Sequence, residues 1–176
     1  MPGLLRLGSR CSNGRGRPWL LTPDGRQVAD SGAYLRTYLG CDDVALAPEG
    51  DVSHFDQLPV SVLTTATLDW VRQTLPGVRV DERRFRPNIV VRTPPGTAPF
   101  VEDDWLGKTA VIGAGTRIEF VRSSERCVMV NEAQADLPHS SLVLKMIAAA
   151  HDNRLDALAR VLTPGRIALG DPLVLA

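Results

Sequence analysis

Asp81-Glu82-Arg83-Arg84-Phe85-Arg86-Pro87-Asn88-Ile89-Val90-Val91 is the stretch on which the reading of the fold turns. Three arginines fall within four residues, and Pro87 closes the run, because its ring disfavours helix at the residue before it. Residues 88–91 then read as a buried strand. Guanidinium groups are thereby set at the mouth of a strand, where paired N–H donors can grip a phosphate or a carboxylate. The same residues also fit a solvated charge run paired with Asp81 and Glu82, and composition alone leaves both readings open.

Immediately upstream, residues 63–75 read as a helix. Threonines at its start offer capping oxygens, Leu68, Val71 and Leu75 mark one face, and Pro76-Gly77 ends it. A helix start with hydroxyls and exposed N–H groups serves equally as a cap or as an anion site. Further back, residues 19–22 and 26–28 flank the turn Pro23-Asp24-Gly25. Residues 31–39 fit a short helix with Ser31 as N-cap and Gly40 as its stop. Short strands are expected at 44–46, before a turn at 48–50, and at 59–63.

Downstream the chain turns β-rich. Strands are expected at 108–112 and 116–121 around Gly113-Ala114-Gly115, with another at 127–130. A helix follows over about 140–150. Residues 155–162 are ambiguous between helix and strand, and 166–169 with 173–175 close the chain. Gly113-Ala114-Gly115 lies between strands and is a hairpin turn, not a nucleotide loop. Many short strands, Gly/Pro turns and a few helices give a mainly β, barrel-like domain. Residues 1–18 read as a flexible segment and 19–176 as one domain.

Cys127 ends the polar run Arg122-Ser123-Ser124-Glu125-Arg126, expected here to connect two strands of a hairpin. A cysteine so placed, beside arginines, is positioned for chemistry; as thiolate it binds metals or attacks sulfur and carbon. Cys11 and Cys41 complete an odd set with no paired metal-ligand spacing, so a structural zinc site is not expected and a reducing compartment is. His54, His139 and His151 read as caps or surface groups. Glu102-Asp103-Asp104 could bind a cation, though a loop cluster of this kind is usually only solvated.

Twenty basic and 20 acidic residues give a net charge of zero, so no global field draws nucleic acid or an anionic membrane. No stretch approaches the ~18 apolar residues of a membrane span, and a cytoplasmic location is expected.

The run from Arg83 to Val91 resembles the RRFRPN signature of MOSC domains, the molybdenum cofactor sulfurase C-terminal family. Glu102-Asp103-Asp104-Trp105-Leu106-Gly107, Glu125-Arg126-Cys127, and Pro164-Gly165-Arg166-Ile167 with Gly170-Asp171-Pro172 follow in the family's order. The resemblance is clearest over residues 56–175. It implies a MOSC-type β-barrel-like fold and the molybdenum cofactor, a pterin phosphate whose dithiolene holds the metal. In the amidoxime-reducing relatives the cysteine matching Cys127 ligates molybdenum. The matching Arg86 and Asn88 hold the pterin and its phosphate, and Thr65 and Thr67 lie at the matching helix start. Those relatives carry an additional N-terminal β-barrel, of which residues 1–55 show no counterpart.

The resemblance therefore implies a molybdenum-dependent oxidoreductase reducing N-hydroxylated or oxidised small molecules, with Cys127 as metal ligand. Cys127 and Arg126 are the expected catalytic residues, and Arg84, Arg86, Asn88, Thr65 and Thr67 the expected cofactor-binding ones. A separate electron donor protein is expected, and a homodimer could complete the pocket. Two alternatives stand beside this reading. One is a sulfur-transfer or C–S bond protein using Cys127 as persulfide or nucleophile, with a sulfur donor protein. The other is a non-catalytic binding module.

Overall fold

A computed structural model describes residues 2–11, 18–47 and 57–176. The chain forms two compact units, residues 1–54 with 132–139, and residues 55–131 with 140–176. In the first, a 3₁₀ helix Pro2–Arg6 precedes β1 (Gly8–Arg10), which pairs antiparallel with β2 (Trp19–Leu21). These elements occupy much of the segment expected to be flexible; residues 12–17 lie outside the described ones. The turn at Pro23-Asp24-Gly25 forms as expected, with Gly25 at φ 84. Helix α1 (Ser31–Leu39) also forms, but its cap is Asp30, whose side chain accepts from the Ala33 N–H; Ser31 is already helical. The strand expected at 44–46 is irregular backbone, since no described strand lies beside it to complete a ladder. The turn expected at 48–50 lies outside the described residues.

The second unit is built on a six-stranded sheet curled into a half-barrel, in the order β4-β3-β7-β6-β5-β8. Its strands are β3 (Val60–Thr64), β4 (Ile89–Val91), β5 (Thr109–Ile112), β6 (Thr116–Glu125), β7 (Arg154–Thr163) and β8 (Leu173–Leu175). Only β3 and β4 are parallel, so the chain must cross over between them. Helix α2 (Thr65–Thr74) and the arginine stretch make that crossover.

Period-2 alternation divides the interior in two. Val62 faces Trp105, Ile118 and Phe120 on one side of the sheet, while Leu63 faces Leu68 and Val71 of α2 and Ile147 of α3 (Leu142–His151) on the other. β7, ambiguous by periodicity, is a strand whose phase changes partway. Leu155 packs with the helices, whereas Ala157 and Ala159 pack on the opposite side. A bulge accounts for this: Ser123 pairs Ala157 and Glu125 pairs Arg154, leaving Leu155 and Asp156 opposite Ser124 alone. Asp156 takes the extra bend at φ 62.

Two expectations fail here for identifiable reasons. β4 is an edge strand, with Val90 41% exposed, instead of a buried one, because no strand among the described residues covers its outer side. The polar run before Cys127 is no hairpin connection. Arg122, Ser123 and Glu125 continue β6 by pairing β7, and Val128–Asn131 is a 3₁₀ helix, not a strand. The Val130 N–H bonds back to the Cys127 carbonyl at 3.3 Å, closing a local turn in place of a ladder.

Candidate functional site

The arginine stretch separates into three roles. Arg83 forks onto Asp81, with Nε to Oδ1 at 2.8 Å and Nη2 to Oδ2 at 2.9 Å, and these bonds hold the Asp81 carboxyl down to about 2. Arg84 turns inward and is 1% exposed. It donates to the carbonyls of Arg79 and Val130 at 3.0 and 3.4 Å. Burial lowers its guanidinium from the usual range, against an opposing pull from Asp81. Arg86 faces a pocket at φ 53, and its side chain bonds to none of the described residues. A left-handed, non-glycine residue costs about 1–3 kcal/mol, a strain usually retained where a side chain must be aimed.

The pocket has a volume of about 260 Å³. Ser61 of β3 and Leu158 of β7 contribute to its lining, as do Arg84, Phe85 and Arg86 from the crossover. Glu125, Arg126 and Cys127 from the end of β6, then Met129, also line it. Cys127 is exposed and forms no disulfide. The backbone that presents it is clamped. Asn153 accepts from the Arg126 N–H at 2.9 Å and donates its Nδ2 to the Arg126 carbonyl at 2.6 Å. The Cys127 carbonyl accepts from Val130 N–H at 3.3 Å, opening the 3₁₀ helix.

The Arg126 side chain is anchored rather than free. Nη1 donates to both Asp156 oxygens at 3.2 Å and to Ser124 at 3.0 Å, while Nη2 donates to the Phe85 carbonyl. The guanidinium lies 5.8 Å from the Phe85 ring centroid, a weak cation–π contact. Its Nε is buried with no partner among the described residues. Burial pushes the Asp156 carboxyl up to about 8, with Arg126 pulling down and Glu102 adding to the rise.

Asn88 is not part of the lining but bonds to Ser61, which is. Its Oδ1 accepts from the Ser61 N–H at 2.9 Å and the Ser61 hydroxyl at 3.1 Å, stitching β4 to β3. Its Nδ2 bonds to none of the described residues. Thr65 and Thr67 are not brought to this lining. Thr65 exchanges bonds with Thr93 at 3.0 Å. Thr67 is fully buried; it donates to Glu102 Oε2 at 2.8 Å and accepts from the Phe100 N–H at 2.8 Å. Thr64, the cap of α2, donates to the same Oε2 at 2.9 Å. Desolvation raises the Glu102 carboxyl even so, and its Oε1 is buried with no partner among the described residues.

The acidic trio does not converge on a cation. Glu102 points into this threonine network, and Asp103 accepts from Ser123 at 3.1 Å and contacts His151 Nε2 at 2.8 Å. Among the described residues no cluster of three or more His, Cys, Asp or Glu could hold a metal ion. No helix among them is long and apolar enough to cross a membrane.

Sequence reasoning missed Asp156, Asn153 and Ser61, and read Glu102 as part of a loop carboxylate cluster and not as the partner of Thr64 and Thr67. A signal existed for Asp156, a lone carboxylate in Leu155-Asp156-Ala157-Leu158-Ala159. A signal existed for Asn153 too, in the Asp152-Asn153 pair that ends α3, at φ 47 and 61.

A family model described as MOSC domain matches residues 49–174. No curated protein matches the chain. Among solved structures, the chain is similar to YiiM from Geobacillus stearothermophilus, at 19% identity and a TM-score of 0.48. That likeness covers 66% of this chain and 53% of the other, so the chain spans about half of that protein's length.

Proposed function

Since the chain belongs to the MOSC domain family, we propose that its Cys127 pocket holds a molybdenum cofactor and that the protein is an oxidoreductase acting on N-hydroxylated or oxidised small molecules. One observation carries this reading. An exposed thiol and a guanidinium with no partner among the described residues, Cys127 and Arg86, line one pocket, the second held there at a strained backbone angle.

The donor set fits such a group. A thiolate is a soft ligand suited to a metal already held by sulfur, and guanidinium N–H groups match a phosphate. Cys127 would ligate the metal, Arg86 would grip the phosphate, and the free Asn88 Nδ2 would reach the pterin edge. Bound there, the cofactor supplies two-electron redox chemistry. Arg84 lines the same pocket while only 1% exposed. Asn153 and Asp156 keep Arg126 fixed, so the Cys127 thiol is presented from rigid backbone. Electrons would come from a separate redox protein. The test is metal and pterin analysis of protein purified without oxygen from a cofactor-competent host. About one molybdenum per chain is expected, lost in Cys127→Ala; wild-type protein without molybdenum overturns the reading.

A second reading has its own support. Thr65 and Thr67 are committed to Thr93 and Glu102. The pocket, at about 260 Å³, also falls below the roughly 300–1,000 Å³ of most cofactor sites. Both favour a smaller task, with Cys127 carrying a persulfide sulfur. Intact mass would then show an adduct of about 32 Da, removed by reductant and absent in Cys127→Ser. Its absence from protein purified without reductant sinks this alternative.

A further inference from the structure

Asp156 stands out on the pocket side of the sheet because two unfavourable features coincide in it. It is a non-glycine residue at φ 62 within a strand, and its side chain is a carboxylate with no exposed surface. Both strain and desolvation work against such a residue unless the environment fixes it. The fixing contact is Arg126, whose Nη1 lies 3.2 Å from each carboxylate oxygen. The bulge that shifts β7 out of phase is what turns the Asp156 side chain to that guanidinium. Arg126 in turn lines the pocket beside Cys127, with its side chain 12% exposed.

We propose that Asp156 is the counter-charge that positions Arg126 on the wall of the Cys127 pocket and sets how strongly that pocket attracts an anionic ligand. With the carboxylate ionised, Arg126 is neutralised and Arg86 is the lining cation with no partner among the described residues. Without it, Arg126 becomes a second uncompensated cation at the same wall. Glu102, on the 3₁₀ helix Val101–Trp105, is the other charged group whose field reaches Asp156. The proposal rests on the Cys127 pocket being the functional site, and it makes Asp156 a positioning residue, not a catalytic one.

The test measures local potential at Cys127 directly. In a Cys11→Ser/Cys41→Ser background Cys127 is the sole thiol. Its alkylation rates with iodoacetate, an anion, and with neutral iodoacetamide are followed by intact mass at pH 9, above the value of about 8 to which burial pushes Asp156. The ratio of the two rates cancels differences in thiol ionisation and access, and leaves the attraction for the anion. Asp156→Asn and Asp156→Gly are expected to raise that ratio roughly threefold or more. Asparagine and glycine both accept the left-handed backbone, so the bulge is kept. Adding Arg126→Gln to Asp156→Asn is expected to return the ratio to the wild-type value or below. A ratio unchanged in both single variants overturns the proposal, as does a rise that survives Arg126→Gln. The readout uses protein without cofactor, so a failure to find molybdenum overturns the functional reading alone.

Discussion

Replacing Thr67 by valine is the sharpest probe of the network beneath α2. Valine keeps the shape and has nearly the helix propensity of threonine, so only the hydroxyl is lost. That hydroxyl donates to Glu102 Oε2 at 2.8 Å and accepts from the Phe100 N–H at 2.8 Å, and it also lies 3.1 Å from the Thr64 hydroxyl, which has Glu102 as its other acceptor. Glu102 is 1% exposed and already has one oxygen without a partner among the described residues, so Thr64 would be left as its side-chain donor there. A weakened bond to a buried carboxylate costs about 1.5–3 kcal/mol, and an unpaired backbone N–H about 1–3 kcal/mol. Phe100 is only half-buried, so water recovers part of the second figure, and a total of about 3 kcal/mol is expected. For a domain of this size that corresponds to a fall in Tm of roughly 6–12 °C. Urea unfolding followed by tryptophan fluorescence measures it, with Thr65→Val as the control on the same helix turn. A loss below about 1 kcal/mol would refute the reasoning, because a buried bond to a carboxylate together with a part-buried one to a backbone N–H cannot be so cheap to break.

Three further outcomes are expected. Arg86→Gly relieves a positive-φ side chain at some backbone entropy cost, so stability by urea unfolding should stay within about 1 kcal/mol of wild type while cofactor content is lost. Phe120→Ala, at a fully buried site 5.2 Å from the Trp105 ring, should cost about 3–5 kcal/mol in the same assay. Glu102 and Asp156 are both raised on folding, so the native state binds more protons than the unfolded one. Stability should therefore decline as pH rises from the usual carboxylate range to about 8, by differential scanning calorimetry, and Asp156→Asn should flatten that decline. Asp81, held down to about 2, acts oppositely and only under acid: its contribution is present above the ordinary carboxylate range and is lost as pH falls toward 2.

What could be read from the sequence was set by local chemistry. The turn at Gly25, the stop at Gly40, helix α2 and the Gly113-Ala114-Gly115 turn each follow from residues within a few positions of one another. The RRFRPN run located the pocket wall, yet could not tell Arg83, Arg84 and Arg86 apart, because their roles are decided by Asp81 beside them and by Arg79 and Val130 across the fold. β7 was ambiguous because the bulge at Asp156 breaks the two-residue period that identifies a strand. Cys127 looked like a loop residue because Ser123, Ser124 and Glu125 are polar; only their pairing with Ala157 and Arg154 makes them strand. Thr67 resembled an exposed cap hydroxyl, and its burial depends on Glu102, thirty-five positions away.

The pocket wall gathers Ser61, residues 84–86, residues 124–127 and Leu158, which meet only when β3, the crossover, β6 and β7 have all found their places. No partly folded form of the chain offers that surface. Closing such long loops is entropically slow, and the parallel pairing of β3 with β4 is among the non-local contacts that delay it. A ligand touching all four segments can therefore load only after folding is complete. Once loaded, it adds its binding free energy to the native state alone, raising resistance to unfolding in proportion to the logarithm of its concentration.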